Sequence, residues 1–248
     1  MRSGGISCIV LLAWSTGCSN AVDATGTPEE VEPLGSSSAD ELEAIPASRL
    51  CVTAGTVSAL DARTLKVDVG TMRGVVADDR SRSAELAFRY PGPSSVDAPL
   101  ASGELRRQIG LKLRAQDSCN VVYVMWQIEP TPGIVVSVKH NAGASTADQC
   151  GDAGYLFPPR AEGAVPPAIR PDEAHTLRTD LDGVRLRVFA DGVLAWAGEV
   201  PAVATTFDGP AGVRSDNGRF DFELRVAAGA AGRSRAATCT TGHVAAVD

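Results

Sequence analysis

From residue 51 onward, apolar and polar residues alternate with a period of two rather than 3.6. In TLKVDV (64–69), Leu65, Val67 and Val69 share one side, and in SAELAFRY (83–90) Leu86, Phe88 and Tyr90 do the same. In GRFDFELRVA (218–227), Phe220, Phe222, Leu224 and Val226 oppose Asp221, Glu223 and Arg225. This pattern predicts half-buried strands, because successive side chains of a strand point to opposite faces. CNVVYVMWQI (119–128) is almost continuously apolar and predicts a strand covered on both faces. GIVVSVKHN (133–141), GVRLRVFADGVLAWAG (183–198) and AGVRSDN (211–217) add further strands, and Asp191-Gly192 between two apolar runs predicts a hairpin. Eight or more short strands divided by Gly, Pro, Asp and Ser predict an all-β, two-sheet sandwich or jelly roll. Five prolines between residues 156 and 172 predict a long loop crossing an edge or rim.

ELRRQIGLKLRA (104–115) raises a chemical question. Leu105, Ile109, Leu111, Leu113 and Ala115 have one parity, and Glu104, Arg106, Gln108, Lys112 and Arg114 the other. Three cations and a glutamine along one face either keep a half-solvated strand soluble or hold an anion.

Composition relocates the charge. The whole chain carries −7, but residues 19–50 contain seven acids and one arginine, with three prolines and no aromatic residue. Such a segment cannot bury a core and is expected to be a disordered tether spanning 18–50. Residues 51–248 then hold 21 bases and 23 acids, so the expected folded domain is close to neutral. A near-neutral domain without an aromatic-rich basic motif gives no support for nucleic-acid binding.

The chain opens MRSGGISCIVLLAWSTGCSN, with one arginine and then an apolar run from Ile6 to Trp14, too short for a membrane span. Small residues before Cys18 make residues 1–17 resemble a bacterial lipoprotein signal, which implies an exported protein lipidated at Cys18. Ser19 after that cysteine resembles the pattern sorted to an outer membrane. A lipidated Cys18 would tether the domain to a membrane surface in the cell envelope.

Four cysteines remain: Cys51, Cys119, Cys150 and Cys239. An even number in an exported chain favours disulfides, with three connectivities possible and the nested pairing of Cys119 with Cys150 and Cys51 with Cys239 preferred. No C-x-x-C or H-x-x-x-H spacing points to a metal, and no cofactor is expected.

The C-terminal half, HTLRTDLDGVRLRVFADGVLAWAGEVP followed by FDGPAGVRSDNGRFDFELRVA, resembles the concanavalin A-like, or laminin-G-like, lectin and glucanase superfamily. The likeness rests on Leu186, Val188, Asp191 and Gly192 in a strand and tight turn, and on Gly209, Gly212, Val213, Arg214, Phe220 and Phe222 in the closing strands. It implies a concanavalin A-like β-sandwich over 51–248 and a carbohydrate ligand. Fold alone does not carry function, so enzymatic chemistry is tested residue by residue. Glycosidases of this fold use an E-x-D-x-x-E strand, and no E-x-D occurs here. Alginate-lyase-like jelly rolls use R-x-E-L-R and Q-I-H strands. Glu104, Leu105 and Arg106 match the first in part, but Gln108-Ile109 and Gln127-Ile128 are followed by Gly110 and Glu129 rather than His.

The expectation is therefore a lectin-like module without catalysis, binding a glycan, in particular an anionic polysaccharide, on the concave sheet. Its candidate residues are Arg106, Gln108, Lys112 and Arg114 on one strand, Tyr123 and Gln127 on the next, and Lys139 with neighbouring His140 beyond. Arginine grips carboxylate or sulfate bidentately, and an aromatic ring stacks on a sugar face. A polysaccharide lyase, or less readily a hydrolase, on the same scaffold is one alternative, and a non-binding structural envelope lipoprotein is another. Asp180, Asp182 and Asp191 near turns allow Ca²⁺, although carboxylates are ordinary turn residues. Trp126 and Trp196, inside apolar strands, are expected in the core.

Overall fold

The computed structural model describes residues 41–76, 78–228 and 245–246. The expected signal segment, Cys18 and Cys239 lie outside the described residues. The strands are β1 (Leu42–Ala44), β2 (Leu50–Ala54), β3 (Ser58–Ala59), β4 (Leu65–Asp68), β5 (Thr71–Val76), β6 (Ser83–Pro93), β7 (Arg107–Leu113) and β8 (Val121–Glu129). They continue as β9 (Gly133–Lys139), β10 (Tyr155–Leu156), β11 (Ala174–Asp182), β12 (Arg185–Ala190), β13 (Val193–Glu199), β14 (Gly212–Asp216), β15 (Gly218–Ala227) and β16 (Ala245–Ala246). One sheet runs β13-β12-β11-β6-β15-β4-β3-β16, with β1 also paired to β15, and the other runs β10-β9-β8-β7-β14-β5-β2. All pairings are antiparallel except β16 on β3. This is the two-sheet sandwich that the alternation predicts.

Between the sheets lies one large apolar cluster. Phe220, Phe222, Leu224 and Val226 enter it from β15, Leu86, Phe88 and Tyr90 from β6, and Ile109, Leu111 and Leu113 from β7. Burying a side chain of this size contributes roughly 1.5–3 kcal/mol, so the alternation of these strands is the main source of register. Trp126 and Trp196 are both core residues. Strand β8 is buried from Val121 through Gln127, as its near-continuous apolar sequence requires.

At the hairpin between β12 and β13, Asp191 and Gly192 have φ of 49° and 77°. Positive φ at both central residues matches the twist of the flanking strands, and glycine takes it without a Cβ penalty. The Asp191 carboxylate accepts the Thr176 N–H at 2.7 Å and lies 2.8 Å from His175 Nδ1, fixing the hairpin to β11. The proline-rich segment runs along the open edge of β13, with Ala161 N–H donating to Ala197 O and Ala164 N–H to Leu194 O. It thereby shields an edge that would otherwise present unpaired backbone groups.

Two expectations are corrected. Residues 42–50 do not belong to the tether: β1 pairs with β15, Ile45 is buried in the core, and Leu50 opens β2. The acids that dominate the composition of residues 19–50 lie at positions 23–43, whereas Ile45 and Leu50 are buried in the core and order this part of the chain. In addition, β7 starts at Arg107, leaving Leu105 exposed outside the strand.

Cys119 and Cys150 form a disulfide across 31 residues, tying the β7–β8 loop to a short helix at Ala147–Cys150. Cys51 is also disulfide-bonded. Chain-entropy arguments give a cross-link of the first kind about 3–4 kcal/mol. A Cys119→Ser, Cys150→Ser double variant is expected to lose about that much in a urea titration, with the slope rising as the unfolded chain expands.

Candidate functional site

Directly paired residues of antiparallel strands project to the same face. Asp216, Gln108 and Gln127 form one such row across β14, β7 and β8. Arg73, Arg214, Gly110 and Met125 form the next, and Gly212, Lys112, Tyr123 and Ser137 the third. Lys139 and Tyr155 continue the face through β9 and β10. Five of the seven expected glycan residues, Gln108, Lys112, Tyr123, Gln127 and Lys139, are thus brought together on the face of the seven-stranded sheet turned away from the core.

Arg106 and Arg114 are not brought there, for two local reasons. A bulge between Arg107 and Gln108 resets the register against β8, so the strict alternation fails at the start of the strand. Arg106 instead donates to Glu104 Oε2 at 2.6 Å, outside β7. At the other end, Arg114 has φ of 49°, which turns it out of the strand. Its guanidinium reaches Ala204 O at 3.2 Å across the end of the sandwich. The same turn sends Ala115 to a small apolar cluster with Cys51, Val75, Val121, Tyr123 and Met125 instead of the main core.

The centre of the face is a charge network that the sequence reading missed. Asp216 is fully buried and accepts three hydrogen bonds: from Arg73 Nη2 at 2.8 Å, Arg214 Nε at 2.9 Å and Gln108 Nε2 at 2.7 Å. Burial by itself would raise the Asp216 carboxyl, but Arg214 and Arg73 hold it below the usual carboxylate range. Burial likewise opposes the charge on Arg214, yet Asp216 beside it keeps that guanidinium more firmly protonated than usual. Arg214 also lies over the Tyr123 ring, 4.8 Å from its centroid, a cation–π contact. Gly110, between Arg214 and Met125, has no room for a side chain, since a Cβ there would meet Val124 O at 2.1 Å.

Lys112 lacks a direct partner among the described residues, with Asp117 acting on it at longer range. It is 6 % exposed and makes no hydrogen bond or ion pair among the described residues. Burial, with Arg73 and Arg214 nearby, pushes its ammonium down to about 7. Lys139 differs, since its Nζ donates to Gly151 O at 2.6 Å and lies 5.2 Å from the Tyr155 ring centroid. Among the described residues, Asp216 is the one carboxylate paired with Arg73 and Arg214. Arg73, Lys112 and Arg214 therefore have, among the described residues, one carboxylate, Asp216, in direct contact with the group.

The other residues singled out by sequence sit elsewhere. His140 stacks on Phe207 with ring centroids 5.8 Å apart, at a rim hollow of about 350 Å³ lined in part by Asp117, Asn120 and Ser145. Asp180 is paired with Arg178 and Arg187, while Asp191 is held by His175. Among the described residues, no three His, Cys, Asp or Glu side chains converge as a metal site. No described helix is long and apolar enough to cross a membrane.

No family model matches the chain, and no curated protein matches it. Among solved structures, it is similar to the carbohydrate-binding module CBM66 of Bacillus subtilis, at 15 % identity over 71 % of this chain and 92 % of that one, with a TM-score of 0.47. It is similar to the metal-free carbohydrate recognition domain of Emp46p, at 8 % identity over 74 % and 95 % of the two chains, with a TM-score of 0.49. The exoplasmic/lumenal domain of VIP36, in a Ca²⁺/Man3GlcNAc-bound form, gives 13 % identity over 75 % and 89 %, with a TM-score of 0.46. These likenesses concern fold alone. In its own layering and strand pairing, the chain has the two-sheet antiparallel β-sandwich expected from the concanavalin A-like resemblance of its C-terminal half.

Proposed function

We propose that this protein is a carbohydrate-binding module that holds an anionic sugar, a uronate or a sulfated unit, on the face carrying Arg73, Lys112, Arg214 and Gln127. The observation that carries this reading is Lys112, a buried amine that makes no direct ion pair among the described residues, beside two arginines that share one carboxylate. A buried charge is costly unless paired, and a bound carboxylate or sulfate would supply the missing partner. Asp216 fixes Arg214 through its Nε, so the rest of that guanidinium is oriented before a ligand arrives. The partly exposed Arg73 side chain and Tyr155 mark where the cluster meets the surface. We further propose that the module is exported and held at the cell envelope by a lipid on Cys18, in the outer membrane where one exists.

Calorimetry with a uronate oligosaccharide and its carboxyl-reduced, neutral counterpart tests the reading. The anionic ligand is expected to bind at least about tenfold more tightly at pH 6, the equivalent of about 1.4 kcal/mol for one good charge-assisted contact. Because Lys112 titrates near 7, the preference should shrink as the pH rises from 6 to 8. A sulfated oligosaccharide, whose charge does not titrate in this range, separates the lysine from the ligand as the source of that change. Equal affinity for the charged and neutral sugars would sink the proposal.

A further inference from the structure

Three aromatic rings lead from the charge network to the edge of the sheet. Tyr123, under Arg214, is stacked against Tyr155 with centroids 6.3 Å apart and planes 28° apart. Tyr155 is stacked in turn against Phe157, at 6.2 Å and 19°. Exposure rises along the series: Tyr123 is 5 % exposed, Tyr155 is half-buried and Phe157 is 62 % exposed. The charge falls away in the same direction, from Arg214 over Tyr123, through Lys139 over Tyr155, to Phe157, which bears no cation contact among the described residues.

An exposed phenylalanine on a loop is commonly a mobile side chain without a task, but Phe157 is held. Leu156, before it, is paired with Val138 in β9. Pro158 and Pro159 follow and restrict the backbone by fixing their own φ. Two residues further on, the Ala161 and Ala197 backbone bonds fasten the loop to β13. Its ring is therefore presented at a set place without contributing to the main core.

We infer that Tyr155 and Phe157 extend the anion site into a track, so that the ligand is an extended anionic polysaccharide rather than a single charged sugar. This rests on the anion-binding reading above. The charged unit sits at Arg214 and Lys112, and the apolar face of a following sugar ring lies over Phe157, which Tyr155 backs, the chain entering from the β10 edge. A sugar ring has polar hydroxyls at its rim and C–H groups on its faces, so a flat ring recognises it without charge. Phe157 is then the residue that sets the preference for length.

A series of uronate oligosaccharides from disaccharide to hexasaccharide, titrated into the full chain, separates the two ideas. Affinity is expected to rise with length and then level off. Phe157→Ala should remove about three- to tenfold of the affinity for the hexasaccharide, as an aromatic stacking contact would. The disaccharide affinity should stay unchanged, and Phe157→Trp should retain the length dependence. Because Phe157 is mostly exposed, its replacement leaves the fold intact, and an unchanged urea midpoint for each variant checks this. A disaccharide that binds with no gain from added sugars, or a gain that Phe157→Ala leaves intact, overturns the track while the anion site stands. Failure of every charged oligomer to bind overturns the anion-binding reading, and the track with it.

Discussion

Asp216→Ala is expected to destabilise the fold by about 3–5 kcal/mol, the range for removing one partner of a buried ion pair. The carboxylate compensates Arg73 and Arg214 and receives the Gln108 amide, all in a setting where it is itself fully buried. Its loss leaves two desolvated guanidinium groups facing each other. Urea or thermal denaturation would read the change directly. Glu104→Ala is the matched control, because the Glu104–Arg106 pair is partly solvated and such pairs contribute about 1 kcal/mol or less. Equal losses in the two variants would show that Asp216 is not the centre of the network. The sign of the acid response also follows. The folded-state pKa of Asp216 is depressed, so its contribution is present above the ordinary carboxylate range and is lost as the pH falls through that depressed value.

The second large effect has the opposite direction. Lys112→Met should raise stability by a few kcal/mol at most, because an apolar side chain of similar volume removes the desolvation cost of the buried ammonium. The same change should abolish the preference for the anionic sugar. Gain of stability with loss of binding is the pattern expected of a residue retained for function. The pH dependence identifies the cause. Lys112 has a folded pKa of about 7 against an ordinary 10.5, so between those values the unfolded chain carries a proton there that the folded chain lacks. Wild-type stability therefore rises with pH above 7, falls back as the pH drops toward 7, and is flat below it with respect to this group. Comparing wild type with Lys112→Met between pH 7 and 9 isolates that slope. A variant that keeps the slope, or that is less stable than wild type, would assign the lysine a structural role instead.

Much of the scaffold was legible because its signals are local. The ten residues of β15 alternate without a break, and each buried Phe, Leu or Val is paid for at the same parity along the strand. The Asp191-Gly192 turn is read from two adjacent residues, and an even cysteine count in a chain expected to be exported made the Cys119–Cys150 bond one of few options. The site was legible in part for the same reason, since Gln108 and Lys112 share a parity with no conformational break between them. Arg106 and Arg114 lie beyond breaks at either end. A bulge against β8 and one left-handed residue are set by what the strand meets, and nothing in ELRRQIGLKLRA announces them.

The residues that complete the site were hidden by distance along the chain. Arg73 lies in TMRGVV and Asp216 in AGVRSDN, two short strands whose side-chain contact spans 143 positions. Gln108 meets Asp216 across 108 positions. Tyr155 and Phe157 sit in a segment that reads as a turn followed by prolines, with no strand period to assign them a face. The all-β class, the period and inner face of the main strands and the hairpin at Asp191 are readable from the residues alone, because each depends on neighbours a few residues apart. The position of β14 between β5 and β7 emerges only once the strands are assembled. That placement gathers Arg73 and Arg214 around Asp216 and sets Lys112 on the same face, because charges act through space and strand order brings together what the chain keeps apart.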